Sequence, residues 1–229
     1  MTELAIKNIV TEYVTLDILQ IENRQVTLKY HTLKINNPSE NENFIGLWRT
    51  SDGTVPAQAA TWSESVKKSE PEASVSYKMP LTDAAYIIGF CPNGDPKTKE
   101  QAWKNVAATV LLDPSKDQAN GQNETIKLDI KGSDTDTIRL EYQLINGMVN
   151  SRHWIGIWEK EGNTVNFASD PEYKAIVSEE DPRIGGQIDL SDATFYRGTT
   201  YVLGYFFDYG SKDKEYSRKH LVGTITFTT

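Results

Sequence analysis

Short segments in which apolar and polar residues alternate recur along the whole chain. In TIRLEYQL (137–144) every second residue is apolar, and VTLKYHTL (26–33) begins with the same pattern. A period of two places one face of a strand on a core and the other face in water, so these segments predict β-strands. Helical periodicity is scarce. DPKTKEQAW (95–103) fits one turn of helix, and LAIKNIVTEYV (4–14) fits either a helix or a strand.

Two further segments are apolar on both faces, which predicts strands in the middle of a sheet or beneath a covering loop. They are HWIGIWEK (153–160) and TTYVLGYFFD (199–208). Glycine inside a strand is costly unless a neighbouring group packs against the missing side chain. For Gly156 and its counterpart Gly46 we expect that group to be an aromatic ring from the neighbouring strand, with Trp48 or Trp158 as the candidate.

The strand segments occur twice, in the same order along the chain. KLDI (127–130) follows TLDI (15–18) by 112 positions, and IRLEY (138–142) follows VTLKY (26–30) by the same 112. WIGIW follows FIGLW by 110 positions, YVLGY follows YIIGF by 115, and LVGTITF follows VAATVLL by 115. Chance does not preserve such an order, so the pattern indicates an internal duplication.

The duplication predicts two units, residues 1–113 and 124–229, joined by the polar linker PSKDQANGQN (114–123). Each unit has about seven short strands in roughly 105–110 residues, which is typical of an immunoglobulin-like sandwich. The expected fold class is therefore all-β, with two tandem immunoglobulin-like β-sandwich domains. The tryptophans at 48, 154 and 158 belong to the cores in this interpretation.

The order of WIGIW (154–158), TTYVLGYFF (199–207) and LVGTITF (221–227) resembles the SKICH domain and the related sandwich at the amino end of purple acid phosphatases. The resemblance covers roughly residues 150–227, and more loosely 40–112. It implies a SKICH-like sandwich. Because SKICH domains act in binding and localisation, and the phosphatase sandwich is not catalytic, it implies a binding role and carries over no catalytic residue.

Composition and charge narrow the class of protein. The 229 residues are 38% hydrophobic and 10% aromatic, as in a folded soluble protein, and no apolar run is long enough to span a membrane. The N-terminus lacks the pattern of a secretory signal, and the single cysteine forbids an intrachain disulfide. We therefore expect a cytoplasmic protein, or one released without a signal peptide. The net charge of −8 disfavours nucleic acid as a partner.

No catalytic motif and no cofactor-binding motif is present. The three histidines lack the spacing of metal ligands and are not repeated between the units, so we expect them to be structural or at the surface. Cys91 is expected to be a buried thiol. The acidic stretches 113–124 and 178–186 are expected to be solvated loops, with calcium binding as the alternative. The chain is therefore predicted not to be an enzyme and to need no metal or cofactor.

Aromatic residues outside the repeated strands are the best candidates for a binding site, because Tyr and Trp on loops give flat contact area at low entropic cost. The candidates are Trp62, Trp103, Tyr173, Tyr209 and Tyr216. The first hypothesis is a non-enzymatic protein that recognises a glycan or a protein surface through these residues. The second is a membrane-acting cytotoxic or insecticidal bacterial protein. The third is a structural protein that self-assembles as a homo-oligomer through its sheet edges.

Overall fold

The segments with alternating pattern form the strands of an all-β protein in a computed structural model of the chain. The structure describes residues 5–56, 58–92, 105–113, 123–133, 137–145, 153–162, 164–177, 185–191, 193–207 and 220–229. These residues contain sixteen strands: β1 (Lys7–Tyr13), β2 (Thr15–Glu22), β3 (Gln25–His31), β4 (Phe44–Arg49), β5 (Trp62–Ser65), β6 (Glu72–Lys78), β7 (Tyr86–Cys91), β8 (Ala108–Leu112), β9 (Asn123–Thr125), β10 (Lys127–Ser133), β11 (Ile138–Gln143), β12 (Trp154–Glu159), β13 (Tyr173–Ile176), β14 (Gly185–Leu190), β15 (Thr200–Phe206) and β16 (Leu221–Thr228). The expected all-β class is confirmed.

The strands form four antiparallel sheets that pack in pairs. In the N-terminal half, the sheet β2-β3-β6 faces the sheet β5-β4-β7-β8-β9, and the rings of Tyr30 and Phe90 meet between them at 5.4 Å. In the C-terminal half, β10-β11-β14 faces β1-β16-β15-β12-β13, and Tyr142 meets Tyr205 at 5.9 Å. We call these pairs the N-terminal sandwich and the C-terminal sandwich.

The two sandwiches have the same strand order, which is the order of an immunoglobulin-like or fibronectin-like fold. In each, the first, second and fifth strands form one sheet, and the fourth, third, sixth and seventh form the other. The hydroxyl of Tyr86 accepts a hydrogen bond of 3.0 Å from the amide of Thr82. The hydroxyl of Tyr201 accepts one of 2.9 Å from the amide of Tyr196. Such a bond from a tyrosine to backbone a few residues upstream is a feature of these sandwiches.

The first strand of the chain lies in the C-terminal sandwich. β1 pairs with β16, with Tyr13 opposite Gly223. Conversely, β9 leaves the C-terminal half and pairs with β8, with Thr125 opposite Ala108. Each sandwich therefore receives one strand from the other half, and we call this arrangement the strand exchange. The sequence pattern does not predict this exchange. Of the two structures expected for the segment 4–14, a helix or a strand, the described part forms the strand β1 at Lys7–Tyr13.

The boundaries at 113 and 124 stay a prediction, because the exchanged strands cross between the halves. The one-turn helix expected at 95–103 lies outside the described residues, which stop at 92 and resume at 105.

The strands that are apolar on both faces are buried on both faces, as predicted. Trp48, Trp154 and Trp158 are each at most 2% exposed. A Cβ added at Gly46 would lie 2.6 Å from Cζ3 of Trp48, and one added at Gly156 would lie 2.6 Å from Cζ3 of Trp158. Both indoles fill the space above a glycine, as expected. The prediction that the ring comes from the neighbouring strand is wrong, because each indole belongs to the glycine's own strand, two residues further on.

The segment after each of these strands covers the indole. The Nε1 of Trp48 donates to the carbonyl of Gln58 at 3.0 Å, and the Nε1 of Trp158 donates to the carbonyl of Ser169 at 3.0 Å. The polar edge of each ring is thereby satisfied while the rest of the ring is buried, as the burial of an indole requires.

Candidate functional site

Strand register shows which chain connections share one end of each sandwich. In the N-terminal sandwich, His31 lies opposite Glu72 and Phe44 lies opposite Cys91. The connections 32–43, 66–71 and 92–107 therefore begin and end together. In the C-terminal sandwich, Gln143 opposite Gly185 and Trp154 opposite Phe206 bring together the connections 144–153, 177–184 and 207–220. In sandwiches of this kind, loops at one end are the usual place for recognition.

These two ends meet at the strand exchange. Val14 alone separates β1 from β2, and its amide donates to the carbonyl of Val222 at 3.2 Å. Ile126 alone separates β9 from β10. Both residues are fully buried. The end of one sandwich therefore continues within one residue into the corresponding end of the other, and we call this region the junction.

Hydrogen bonds across the junction join the halves. The hydroxyl of Tyr13 donates to the carbonyl of Leu128 at 2.9 Å and accepts from its amide at 3.0 Å. The hydroxyl of Thr125 donates to the carbonyl of Val14 at 2.7 Å. Ile145, which follows β11, packs on the apolar cluster around Trp48 in the N-terminal sandwich. Main chain, side chains and apolar contacts thus all contribute to a fixed junction.

A buried polar residue precedes the third strand of each sandwich, close to the junction. In the N-terminal sandwich it is Asn43, whose Nδ2 donates to the carbonyl of Pro92 at 2.5 Å. Its Oδ1 accepts from Nδ2 of Asn36 at 2.8 Å. These bonds hold the ends of two connections together, as buried amide groups require partners.

In the C-terminal sandwich the corresponding residue is His153. Its Nδ1 lies 2.9 Å from the hydroxyl of Tyr205, and its ring stacks on Phe207 at 4.4 Å. Burial lowers the pKa of His153 to about 3, so the imidazole is neutral near neutral pH. This agrees with the expectation of a structural histidine, and His31, which is partly exposed beside Glu72 at 3.6 Å, agrees with a surface one.

Two of the five candidate aromatics lie in strands, so the prediction that they are loop residues is wrong for them. Trp62 begins β5 opposite Leu47, and Tyr173 begins β13 opposite Ile157. Both are partly buried, and the ring of Trp62 packs edge-on against Tyr77 at 5.6 Å. They occupy corresponding edge strands of the two sandwiches. Four-residue strands without clear alternation give too weak a signal to be recognised in the sequence.

Trp103, Tyr209 and Tyr216 lie outside the described residues. Their segments, 93–104 and 208–219, connect β7 to β8 and β15 to β16. Both segments therefore depart from and return to the junction side of their sandwiches, whereas Trp62 and Tyr173 start their strands farther from it. The structure thus does not bring the five candidates into one described cluster, and their role in binding stays a prediction.

Candidate chemistry is sparse in the described part of the chain. Cys91 is fully buried, as predicted, and burial raises the pKa of its thiol. Among the described residues no group of three or more His, Cys, Asp or Glu side chains could hold a metal ion. The acidic stretches 113–124 and 178–186, for which calcium binding is the alternative to a solvated loop, lie mostly in the undescribed segments 114–122 and 178–184.

Within the described ranges, no helix is long and apolar enough to cross a membrane.

The sequence reasoning missed an open groove between the edge strands β5 and β6. The groove has a volume of about 400 Å³ and is lined by Glu64, Lys67, Lys68 and residues 74–78. Lys67 lies 3.6 Å from Glu64, so one of the lysine charges is partly balanced. The pair Lys67–Lys68 in the sequence was the available signal.

Comparisons with known proteins add little to this picture. No protein-family model and no curated protein matches the chain. Among solved structures, it is similar to the FN1–FN3 domains of chicken CNTN1, with 9% sequence identity and a TM-score of 0.28. The match covers 90% of this chain and 63% of that chain, so this chain spans less than two thirds of its length. The assignment of an immunoglobulin-like fold therefore depends on the strand order, and the resemblance to SKICH domains stays a proposal.

Proposed function

We propose that the chain is a non-enzymatic binding protein that recognises a glycan or a protein surface at the junction of its two sandwiches. The observation that carries the proposal is the register of the strands. The segments with Trp103, Tyr209 and Tyr216 depart from the two ends that adjoin the strand exchange. A ligand bound there would touch aromatic residues from both halves.

The architecture suits such a role. The exchanged strands and the Tyr13 hydrogen bonds join the halves. A ligand that contacts both sandwiches would therefore lose no affinity to the entropy of ordering them relative to one another. Preorganisation of this kind raises affinity without any additional contact. The aromatic rings would supply stacking faces for sugars or flat contact area for a protein.

The two sandwiches, in this proposal, arose by duplication of one unit that resembles a SKICH domain. The support is the correspondence of unusual details: a tryptophan over a strand glycine, the bond of that tryptophan to the following segment, and the tyrosine bonded to upstream backbone. Buried polar residues at 43 and 153 are equivalent in position and different in chemistry.

The proposal is tested with the whole chain on an array of immobilised oligosaccharides and, in parallel, by affinity capture with the chain as bait. The test variant is Trp103→Ala/Tyr209→Ala/Tyr216→Ala. The control is Tyr196→Ala, which removes a tyrosine that is 63% exposed in the connection 191–199, at the opposite end of its sandwich. We expect a retained ligand to be lost in the triple variant and kept in the control. Equal retention by both variants, or retention of nothing in either format, would overturn the proposal.

A further inference from the structure

Strand β1 is an edge strand with exposed apolar side chains. It is the outermost strand of its five-stranded sheet, with β16 on one side. Among the described residues, no strand pairs with its other side. Ile9 is 47% exposed and Val10 is 56% exposed. An edge of this kind offers a row of backbone donors and acceptors to another strand, so natural proteins usually protect it with charge, a bulge or brevity. β1 has a bulge and a charge towards each end, at Lys7 and Glu12, but its centre at Ile9 and Val10 is uncharged.

The corresponding edge of the other half is protected. β9, the counterpart of β1, has only three residues, against seven in β1. In the strand that follows each, Leu19 is 55% exposed, whereas the residue 112 positions later is Lys131. Lys131 Nζ lies 2.7 Å from Asp129 and 2.9 Å from Glu141. The strand exchange is symmetric, so the fold does not require β1 and β9 to differ in length or in the exposure of apolar side chains nearby. The difference therefore belongs to the sequence and marks the edge formed by β1.

The register of β1 gives its edge a symmetry about Val10. Lys7 lies opposite Thr228, Val10 opposite Thr226 and Glu12 opposite Thr224. Val10 comes three positions after Lys7, but their partners in β16 are only two positions apart, because a bulge at Asn8 and Ile9 absorbs one position, with Asn8 at a φ of 54°. Measured along the ladder, Lys7 and Glu12 are therefore the same distance from Val10, two positions on either side.

We propose that a second copy of this chain pairs with β1 antiparallel, about a two-fold axis at Val10. In that arrangement Val10 meets Val10 of the second copy, and each Lys7 lies opposite the Glu12 of the second copy. Both ends of the ladder are thus matched in charge while the exposed Ile9 and Val10 are covered at the centre. The contact is isologous, so it closes after two copies and does not propagate into a fibre.

The same geometry explains why the second copy is favoured over another partner strand. Antiparallel pairing requires that directly opposite residues have the same hydrogen-bonding orientation. Lys7, Val10 and Glu12 share one orientation, because their partners in β16 are two residues apart. A strand identical to β1 satisfies this condition and the opposite-charge condition at once. The interface is small, so a concentration-dependent dimer is expected and not a permanent one.

Sedimentation velocity of the whole chain, across protein concentrations up to roughly 300 µM, tests the proposal. The variants are Lys7→Glu, Glu12→Lys and the double reversal Lys7→Glu/Glu12→Lys. Each single variant places like charges opposite one another at both ends of the ladder. We expect each single variant to weaken the dimer about tenfold or more, and the double variant to recover it. Because the side chains of Lys7 and Glu12 are exposed, we expect all three variants to fold, and circular dichroism would establish this.

Two matched controls separate this edge from others. Glu124→Lys makes the same change as Glu12→Lys in the counterpart strand β9, and Ile176→Lys charges β13 at the opposite edge of the same sheet. Both controls are expected to dimerise as the parent does. A parent that stays monomeric at every concentration would overturn the proposal. So would a double reversal no better than the single ones, or a dimer lost on Ile176→Lys.

Discussion

The substitution of Gly156 by alanine tests how tightly the outer face of the C-terminal sandwich is packed. A Cβ at this position would lie 2.6 Å from Cζ3 of Trp158 and 2.9 Å from Cζ3 of Trp154. Both distances are shorter than real Cβ contacts, so either the indoles or the backbone must move. The loss of stability caused by Gly156→Ala therefore depends on whether the two indole rings can move.

The surroundings of the two rings indicate that they cannot move easily. Trp158 is held by its bond of 3.0 Å to the carbonyl of Ser169 and by an edge-on contact with Phe167 at 5.0 Å. Trp154 stacks on Phe206 with ring centroids 4.1 Å apart. Overpacking of a core typically costs about 1–3 kcal/mol, so we expect Gly156→Ala to lower the free energy of unfolding by about 2–3 kcal/mol and Gly156→Val by more.

Urea denaturation followed by tryptophan fluorescence measures this change. Gly46→Ala is the parallel variant, because its Cβ would lie 2.6 Å from Cζ3 of Trp48. Gly132→Ala is the matched control, since a Cβ there meets nothing within 4 Å. We expect the control to be neutral or slightly stabilising, because alanine restricts the unfolded chain. If Gly156→Ala unfolds at the same urea concentration as the control, the indoles do not fill the space above the glycines and the packing argument is wrong.

Three further predictions follow from the described contacts. His153 is neutral in the fold with a pKa of about 3, below its ordinary value of 6.5, so its contribution to stability is complete above pH 6.5 and is lost as the pH falls towards 3. In thermal melts from pH 7 to pH 4, the free energy of unfolding should therefore fall less steeply for His153→Asn than for the parent. The two slopes should differ by about 1.4 kcal/mol per pH unit below pH 6.5, and equal slopes would contradict the burial of this imidazole. Tyr13→Phe should lower the free energy of unfolding by about 1–3 kcal/mol in chemical denaturation, because it leaves the partly buried amide and carbonyl of Leu128 without the Tyr13 hydroxyl, whereas the exposed Tyr196→Phe should cost almost nothing; similar costs would refute a role for Tyr13 in the junction. The thiol of Cys91 should react with a thiol reagent only as fast as the protein unfolds, and fast labelling of the native protein would show that it is not buried.

The strands and their cores could be predicted from the sequence because the determinants are local. Alternation in TIRLEYQL fixed the inward face of β11, and the buried residues Ile138 and Leu140 are the ones expected. The double-faced pattern of WIGIW predicted a strand buried on both sides, and Trp154 and Trp158 are core residues. In such segments side-chain polarity alone decides which face is buried.

The strand exchange could not be predicted in the same way. β1 is exposed along almost its whole length, so its pattern carries little information about a partner. Its partner β16 begins more than 200 residues later in the chain, at Leu221, and nothing in a local pattern encodes a pairing at that distance. β9 has three residues, fewer than alternation needs to be visible. Trp62 and Tyr173 look like loop residues in the sequence for the same reason, since β5 and β13 have four residues each.

Cleavage of the chain between its halves tests the strand exchange most directly. A protease site placed within residues 114–122 would separate the halves, leaving β1 on the N-terminal fragment and β9 on the C-terminal fragment. Because each fragment contributes a strand to the other's sheet, we expect the cleaved fragments to elute together in size-exclusion chromatography and to separate only in denaturant. Fragments that elute as two independently folded species without denaturant would contradict the exchange.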